Sequence, residues 1–143
     1  MGLFGDKEAA PAPKIISTVN GQELADIVRE MGFVPELTTD PGGDPLVRFR
    51  IEGLMCLIFF YGVENGRSDS LQFSAGFTIK PALSKVNEWN AKKRFAKAHL
   101  DSDGDAIVQM DFELDGGVTK EFIQEQLKRW RGVFLSFASF MRE

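Results

Sequence analysis

Three acidic residues at alternate positions are the first candidates for chemistry in this sequence. Asp101, Asp103 and Asp105 have the spacing with which a calcium loop begins. An EF-hand needs glycine directly after the third acid, where this chain has Ala106, and glutamate at the twelfth position, where it has Phe112. The pattern therefore predicts a polar hairpin turn, and no metal is expected there.

The single histidine and the single cysteine are the other candidates for catalysis or metal binding. His99 has only Cys56 elsewhere in the chain to complete a zinc site, which is too few ligands. No nucleophile that the sequence can identify accompanies His99 as a general base. Cys56 lies in the most apolar segment, where burial raises the pKa of a thiol and makes it unreactive. We therefore predict a surface histidine, a core cysteine, no catalytic residue and no cofactor, and hence that the protein is not an enzyme.

Charge is unevenly distributed along the second half of the chain. A basic stretch (Lys80, Lys85, Lys92, Lys93, Arg94, Lys97) precedes an acidic one (Asp111, Glu113, Asp115). We expect solvated surfaces that offset one another, with electrostatic steering of a charged partner as the alternative. Because the formal net charge is −4 and no recognised motif accompanies the basic stretch, no nucleic-acid partner is expected.

Length and composition favour one small globular domain. The 143 residues are 43% hydrophobic and 27% charged. One cysteine cannot form an internal disulfide, which fits a reducing cytoplasm. The longest apolar run, Leu54–Tyr61, is far shorter than the roughly 20 residues that span a bilayer, so no membrane partner is expected. Residues 1–14 read as a flexible leader and 15–143 as a single domain.

The elements that must position these residues begin with a helix and a strand. Asn20 with Glu23 forms a predicted capping box, and Gly32 ends the helix. A short edge strand is allowed over residues 35–40. Beyond a turn, Val47, Phe49 and Ile51 alternate with charged residues, which is typical of a half-buried strand.

The next strand, Leu54–Tyr61, is apolar on both faces. Leu54, Cys56, Ile58 and Phe60 point one way, and Met55, Leu57, Phe59 and Tyr61 point the other way. Such a strand must be covered twice. We expect the domain's own helices on one side and either another helix or a second subunit on the other.

A third strand, a second helix and a hairpin follow. The strand spans residues 71–79, and the helix is predicted from Pro81 to about Phe95, with Leu83, Val86, Asn87 and Asn90 on one side. We expect the two amides to satisfy strand-end backbone groups, with a ligand-gripping role as the alternative. In the hairpin, Ala98 lies opposite Val108 and Gly104 adopts a left-handed conformation.

The last helix has a broad aromatic face. Thr119 is its predicted cap. Its apolar residues are Ile123, Leu127, Trp130, Phe134, Phe137 and Met141, widened by Phe122, Val133 and Phe140. Packing on the sheet is the first interpretation; the alternative is that part of this broad face meets a partner.

These elements predict an α+β fold of order α-β-β-β-α-β-β-α, an antiparallel sheet of about five strands with flanking helices. In this order the chain resembles the YbjN family of bacterial proteins. The resemblance lies in three stretches, Val86-Asn87-Glu88-Trp89-Asn90, the Asp101-Ser102-Asp103-Gly104-Asp105 turn with its strands, and Gly116-Gly117-Val118-Thr119 before a helix with Trp130 and Phe134. Met31-Gly32-Phe33 is compatible with it, and about residues 17–143 are covered.

The resemblance implies a fold like that of type III secretion chaperones and a role as a regulator of sensory transduction, without an established enzymatic activity. Those chaperones are dimers that hold unfolded stretches of client protein. A shared fold is weak evidence of a shared function. No catalytic residue of the family transfers to this chain.

The predicted function is a non-enzymatic protein-binding module, a regulator or chaperone-like protein that acts as a homodimer with an unidentified protein partner or client. The thirteen phenylalanines and the doubly apolar strand support it. The candidate partner or dimer surface comprises Met55, Leu57, Phe59, Tyr61, Trp130, Phe134, Phe137 and Phe140. The alternatives are a structural subunit of a larger assembly, or a small-molecule-binding domain or unrecognised enzyme with a cleft near Asn87, Asn90 and His99.

Overall fold

The computed structural model describes residues 12–143, so most of the predicted leader over residues 1–14 lies outside the described residues. Three helices and eight strands follow one another in that part of the chain. The helices are α1 (Gly21–Glu30), α2 (Leu83–Lys92) and α3 (Lys120–Met141). The strands are β1 (Val19–Asn20), β2 (Glu36–Thr39), β3 (Pro45–Ile51), β4 (Leu54–Tyr61), β5 (Arg67–Ser68), β6 (Ser70–Phe77), β7 (Lys97–Leu100) and β8 (Ala106–Glu113).

Six strands form one antiparallel sheet in the order β2-β3-β4-β6-β8-β7. The predicted α+β class and order of elements are confirmed, and β2 is the short edge strand that the sequence allowed. Strands β1 and β5 pair separately in a two-stranded sheet. The sequence did not predict this pair, because strands of two residues leave no alternation to detect.

The helices pack on one face of the six-stranded sheet and enclose the core there. Trp130 of α3 stacks on Phe73 of β6, with ring centroids 5.3 Å apart, and Phe73 also stacks on Phe112 of β8 at 5.0 Å. Trp89 of α2 meets Phe137 of α3 edge-on at 5.0 Å. These aromatic contacts account for several of the largest fully buried side chains and join two helices to the centre of the sheet.

The predicted starts of the first and last helices are confirmed by their hydrogen bonds. At α1, the Asn20 side chain accepts from the Glu23 amide at 2.8 Å, and the Glu23 carboxylate accepts from the Asn20 amide at 3.0 Å. At α3, the Thr119 hydroxyl accepts from the Phe122 amide at 3.1 Å. Each cap satisfies backbone donors that a helix start otherwise leaves unpaired.

Helix α2 is shorter than predicted at both ends. The sequence predicted a helix over residues 81–95, and the structure has Leu83–Lys92. Ala82 is extended (φ −63°, ψ 145°), and Lys93 is extended again (φ −112°, ψ 150°). Strand β7 begins at Lys97 and pairs with β8, so strand pairing ends the helix before local propensity would.

The buried side of α2 also differs from the prediction. Leu83 was placed with Val86 on one side, but Leu83 is 69% exposed, while Val86 and Trp89 are buried. The helix lies at the edge of the sheet beside β7, and its buried strip faces α3 through Trp89. Only a narrow strip of a helix in this position meets the rest of the protein.

The two edge hairpins of the sheet, β2–β3 and β7–β8, share one loop design. In each, an aspartate begins the loop, and its side chain accepts from two loop amides: Asp40 from Gly42 and Asp44 at 2.9 and 3.0 Å, and Asp101 from Asp103 and Asp105 at 2.9 Å each. A glycine with positive φ follows in both loops, which are Asp40-Pro41-Gly42-Gly43-Asp44 and Asp101-Ser102-Asp103-Gly104-Asp105. The predicted left-handed Gly104 and the pairing of Ala98 with Val108 are confirmed.

Candidate functional site

Strand β4 places apolar side chains on both faces of the sheet, and the two faces have different surroundings. Cys56, Ile58 and Phe60 are buried beneath the helices. On the opposite side, Met55, Leu57 and Phe59 are half-buried and Tyr61 is 49% exposed. We call the side of the sheet opposite the helices the open face.

The apolar centre of the open face extends from β4 onto β3. Leu46 of β3 lies beside Phe59, and the stems of Arg48 and Arg50 lie beside Leu57 and Met55. Within residues 12–143, the core cluster does not include Leu46, Met55, Leu57 or Phe59, and none of these four side chains packs against it. The centre is therefore a contiguous apolar patch with no helix of the described chain over it.

The β6 and β8 side of the open face is polar and internally hydrogen-bonded. The Tyr61 hydroxyl donates to the Gln72 carbonyl oxygen at 3.1 Å, and the Gln72 amide donates to the Asp111 carboxylate at 2.8 Å. The Ser70 hydroxyl donates to the Glu113 carboxylate at 2.8 Å. These bonds fix the side chains of this half in one arrangement, so that the face presents an ordered surface.

Charges of opposite sign flank the apolar centre. Arg48 and Arg50 project from β3, and Asp111 and Glu113 project from β8 on the other side. Within residues 12–143, Arg48 has only a 4.0 Å contact with the exposed Glu36 carboxylate, and the other three form no ion pair. The two arginines thus lie on one side of the apolar centre and the two carboxylates on the other, with one charge of opposite sign on each edge strand beyond them, Glu36 and Lys97.

The aromatic residues of α3 divide between core and surface. Trp130, Phe134 and Phe137 are fully buried, so they present no surface to a partner and leave the candidate set. Packing on the sheet, the first interpretation of this stripe, accounts for them. Phe140 is half-buried, with the Lys85 ammonium 5.6 Å from its ring centroid, and Phe122 is 37% exposed. Of the candidate residues, the four on β4 and Phe140 keep some exposed surface. Phe140 belongs to α3 and lies on the helix side of the sheet, away from the other four.

The three aspartates of the β7–β8 loop, Asp101, Asp103 and Asp105, take part in the hydrogen bonds and the ion pair that hold the turn. Their carboxylate oxygens lie within 4.8 Å of one another. The Asp101 carboxylate already accepts two loop amides, and the Lys80 ammonium lies 3.0 Å from the Asp105 carboxylate and 2.7 Å from the Asp103 carbonyl oxygen. The predicted polar hairpin turn is confirmed, and the Lys80 ammonium pairs with one of its three carboxylates.

Cys56 lies in the core, as predicted, with no exposed surface. Burial raises the pKa of its thiol to about 12. A thiol with this pKa stays protonated at neutral pH, and the thiolate is the reactive form. The residue has neither the ionisation nor the access that a nucleophile needs.

The three residues of the alternative cleft do line one depression. Asn87, Asn90 and His99 border an open hollow of about 660 Å³ beside β7, together with Leu83. The Asn90 side chain is already engaged: its amide donates to the Ala98 carbonyl oxygen at 2.9 Å, and its oxygen accepts from the Ala98 amide at 2.8 Å. The predicted role of satisfying strand backbone is thus confirmed for Asn90, and the hollow lacks the converging polar groups of a binding pocket.

Two features of the surface escaped the sequence reasoning. Gln72 and Ser74 of β6 lie on the open face, yet they are only 6% and 7% exposed. Phe95 was assigned to a helix and instead has φ +79° with its ring 56% exposed. No local signal marks Phe95, because the pairing of β7 decides its backbone conformation.

Comparison with known proteins identifies the family of the chain. No curated protein and no solved structure matches it. No helix within residues 12–143 is both long and apolar enough to cross a bilayer. A family model described as "putative bacterial sensory transduction regulator" matches residues 20–143, which include all three helices and the whole six-stranded sheet. The chain therefore belongs to the YbjN family.

Proposed function

We propose that this protein is a non-enzymatic, cytoplasmic binding module that acts as a homodimer through the open face of its sheet. The apolar centre on the second side of β4 carries the proposal, because no element of the described chain covers it. Contiguous exposed apolar surface in a protein of this size is typical of an interaction site. The description of the family as a regulator supports a binding role rather than a catalytic one.

The size of the open face suits a partner subunit. Strands lie about 4.8 Å apart and rise about 3.3 Å per residue, so a six-stranded face with strands of up to eight residues measures roughly 25 by 25 Å. A standard interface buries about 800 Å² on each partner. A face of these dimensions covers roughly 600 Å² in projection, less than that value, so a stable pair would use the whole of it.

The charges of the open face suit a second copy of the same chain. A twofold axis parallel to the strands, lying between two stacked sheets, places the β3 side of one copy over the β8 side of the other. Arg48 then lies about two residues along the strands, roughly 7 Å, from the level of Asp111 of the second copy, within reach of its long side chain, whereas Arg50 and Glu113 lie at opposite ends of the strands. An axis across the strands would instead place β3 over β3 and oppose like charges, so the first arrangement is the proposed one.

A chaperone-like role uses the same surface. An extended client segment that packs on the apolar centre would compete with the second copy, or would bind a part of the face that the dimer leaves free. Regulation would follow from this competition, because a client that binds only the monomer shifts the monomer–dimer equilibrium by mass action.

The test is the oligomeric state of two matched leucine variants. Leu57→Arg places a charge in the centre of the open face, whereas Leu83→Arg makes the same change at an exposed site away from it. Sedimentation equilibrium of the wild type should give twice the 16.0 kDa chain mass. Leu57→Arg should give the single chain mass, and Leu83→Arg should match the wild type, because a buried unpaired charge opposes association.

Circular dichroism of Leu57→Arg should match the wild type, which separates loss of pairing from loss of folding. The proposal is wrong if the wild type sediments as a single chain at every concentration tested. It is equally wrong if both arginine variants weaken association to the same extent.

A further inference from the structure

We propose a second interaction surface, formed by Lys93, Arg94, Phe95 and Arg129, that binds an acidic polypeptide segment. We call these four residues the arginine patch. They join the segment between α2 and β7 to the exposed side of α3. The patch lies apart from the apolar centre of the open face, so this proposal stands independently of the proposed dimer.

The first observation is the arrangement of two guanidinium groups around one exposed ring. The guanidinium carbon of Arg94 lies 4.7 Å from the centroid of Phe95, and that of Arg129 lies 4.6 Å from it. Both distances are within the range of cation–π attraction. The ring therefore holds two flexible arginine side chains in place before any partner arrives, which lowers the entropy that binding must overcome.

The second observation is the backbone of Phe95. Its φ is +79°, a conformation that a bulky residue rarely adopts. The ring is nevertheless 56% exposed, so no gain from core burial explains why phenylalanine occupies this position. Glycine would adopt the same backbone without strain. The pairing of β7 sets this backbone conformation, but the fold does not require phenylalanine in it, and a residue held in a strained conformation is the kind found at functional positions.

The third observation is the charge of the patch. Within residues 12–143, no carboxylate forms an ion pair with Lys93, Arg94 or Arg129; Arg129 only donates to the Gln126 carbonyl oxygen at 3.2 Å. By contrast, Lys92 is paired with Glu88 at 2.7 Å and Lys128 with Glu125 at 3.0 Å. Three cations without an ion pair among the described residues therefore lie together at the arginine patch.

These observations together fit a carboxylate-rich segment with an apolar side chain. Arginine binds carboxylates through two parallel hydrogen bonds, and two adjacent guanidiniums suit two nearby acidic residues. The exposed part of the Phe95 ring offers a contact for the apolar residue, and arginine and aromatic residues are enriched at interface anchors. A nucleic-acid base would need the π surface that the guanidiniums occupy, so we favour the polypeptide.

The test measures binding of a labelled synthetic peptide of repeated Glu-Leu-Glu-Gly units by fluorescence anisotropy. The wild-type protein should bind it saturably, and more tightly than a repeated Lys-Leu-Lys-Gly peptide. Arg94→Gln and Arg129→Gln should each weaken binding by about tenfold, the loss expected for one charge-assisted contact. Arg142→Gln, which removes the same charge elsewhere, should have no such effect.

Phe95→Gly separates a binding role from a structural one. The variant should melt at or above the temperature of the wild type, because glycine relieves the strained backbone, and should still lose peptide affinity. Its oligomeric state should not change, which distinguishes this surface from the open face.

Several outcomes would overturn the proposal. They are the absence of saturable binding, equal weakening by Arg142→Gln, a Phe95→Gly variant that melts well below the wild type, or labelled oligouridylate binding more tightly than the acidic peptide with the same dependence on Arg94 and Arg129.

Discussion

Phe59 and Phe60 are adjacent residues of the same type in strand β4, and they have opposite environments. Phe60 is 2% exposed beneath the helices, whereas Phe59 is half-buried on the open face. The difference follows from strand geometry, since successive side chains point to opposite sides of a sheet. The helices of the chain thus cover one side of β4. The other side is also apolar, but no element of residues 12–143 covers it.

The two sides of β4 therefore differ in role: the covered side stabilises the fold, and the open face is available for binding. The covered side contains the stacked aromatic rings and the buried thiol, and its residues are explained by packing alone. The open face combines apolar residues with fixed polar groups, which is the composition of an interface. A change on one side should therefore alter stability, and a change on the other should alter association.

The largest expected effect comes from truncating the two phenylalanines in turn. Phe60→Ala should reduce the free energy of unfolding by about 3–5 kcal/mol, because it removes buried surface and leaves a cavity. Phe59→Ala should have a much smaller effect on the stability of the monomer and should weaken the proposed dimer instead. Urea unfolding at low protein concentration, paired with sedimentation of both variants, measures the two quantities. Equal destabilisation of the monomer would mean that the two sides of β4 do not differ as described.

A smaller effect on stability is expected at the β7 edge of the sheet, where Asn90 of α2 bonds to the strand. Asn90→Ala removes both hydrogen bonds to the Ala98 backbone and should cost about 1–3 kcal/mol. Asn87→Ala, on the same helix but exposed, should change stability by less than about 0.5 kcal/mol. Thermal or urea unfolding of the pair tests this, and similar values for the two variants would contradict the assigned role of Asn90.

The smallest effect is on the pH dependence of stability, to which the buried thiol of Cys56 contributes. The pKa of its thiol is about 12 in the folded protein against 9.0 for the free group, so the unfolded chain loses this proton first. Stability should therefore fall as pH rises above 9, by up to about 1.4 kcal/mol per pH unit. Below pH 9 the thiol is protonated in both states and contributes no pH dependence.

Comparison with Cys56→Ala isolates this contribution, because every other titrating group is common to the two proteins. The stability difference between the wild type and the variant should be constant from pH 7 to the pKa of 9.0 and should shift against the wild type above it. A difference that stays constant up to pH 10.5, well past that pKa of 9.0, would show that Cys56 ionises as easily in the folded protein as in the unfolded chain.

Local signals in the sequence predicted most of the fold. The cap at Asn20, the doubly apolar strand Leu54–Tyr61 and the cap at Thr119 are all where the residue pattern placed them. Each depends on side chains within one turn or one strand. The pairing of Ala98 with Val108 was predictable for the same reason, since the turn between them fixes the register.

The features that escaped prediction depend on distant parts of the chain. Helix α2 ends early because β7 must reach β8, and the same requirement places Phe95 in its strained conformation. Of the predicted candidate surface, Trp130, Phe134 and Phe137 are fully buried and offer no contact to a partner, whereas the β4 residues and Phe140 stay a prediction. Sequence periodicity shows that a helix face is apolar, but only the tertiary arrangement shows how much of it the sheet can cover.

The hydrogen bonds of Asn90 have a consequence for self-assembly. The outermost strand of a sheet is a template on which a foreign strand can be added, and repeated addition leads to fibrils. Here the side chain of Asn90 occupies the outward amide and carbonyl of Ala98 at the middle of the short strand β7. Strand addition is therefore blocked at that edge of the sheet, which leaves stacking of faces as a way for copies of this chain to associate there.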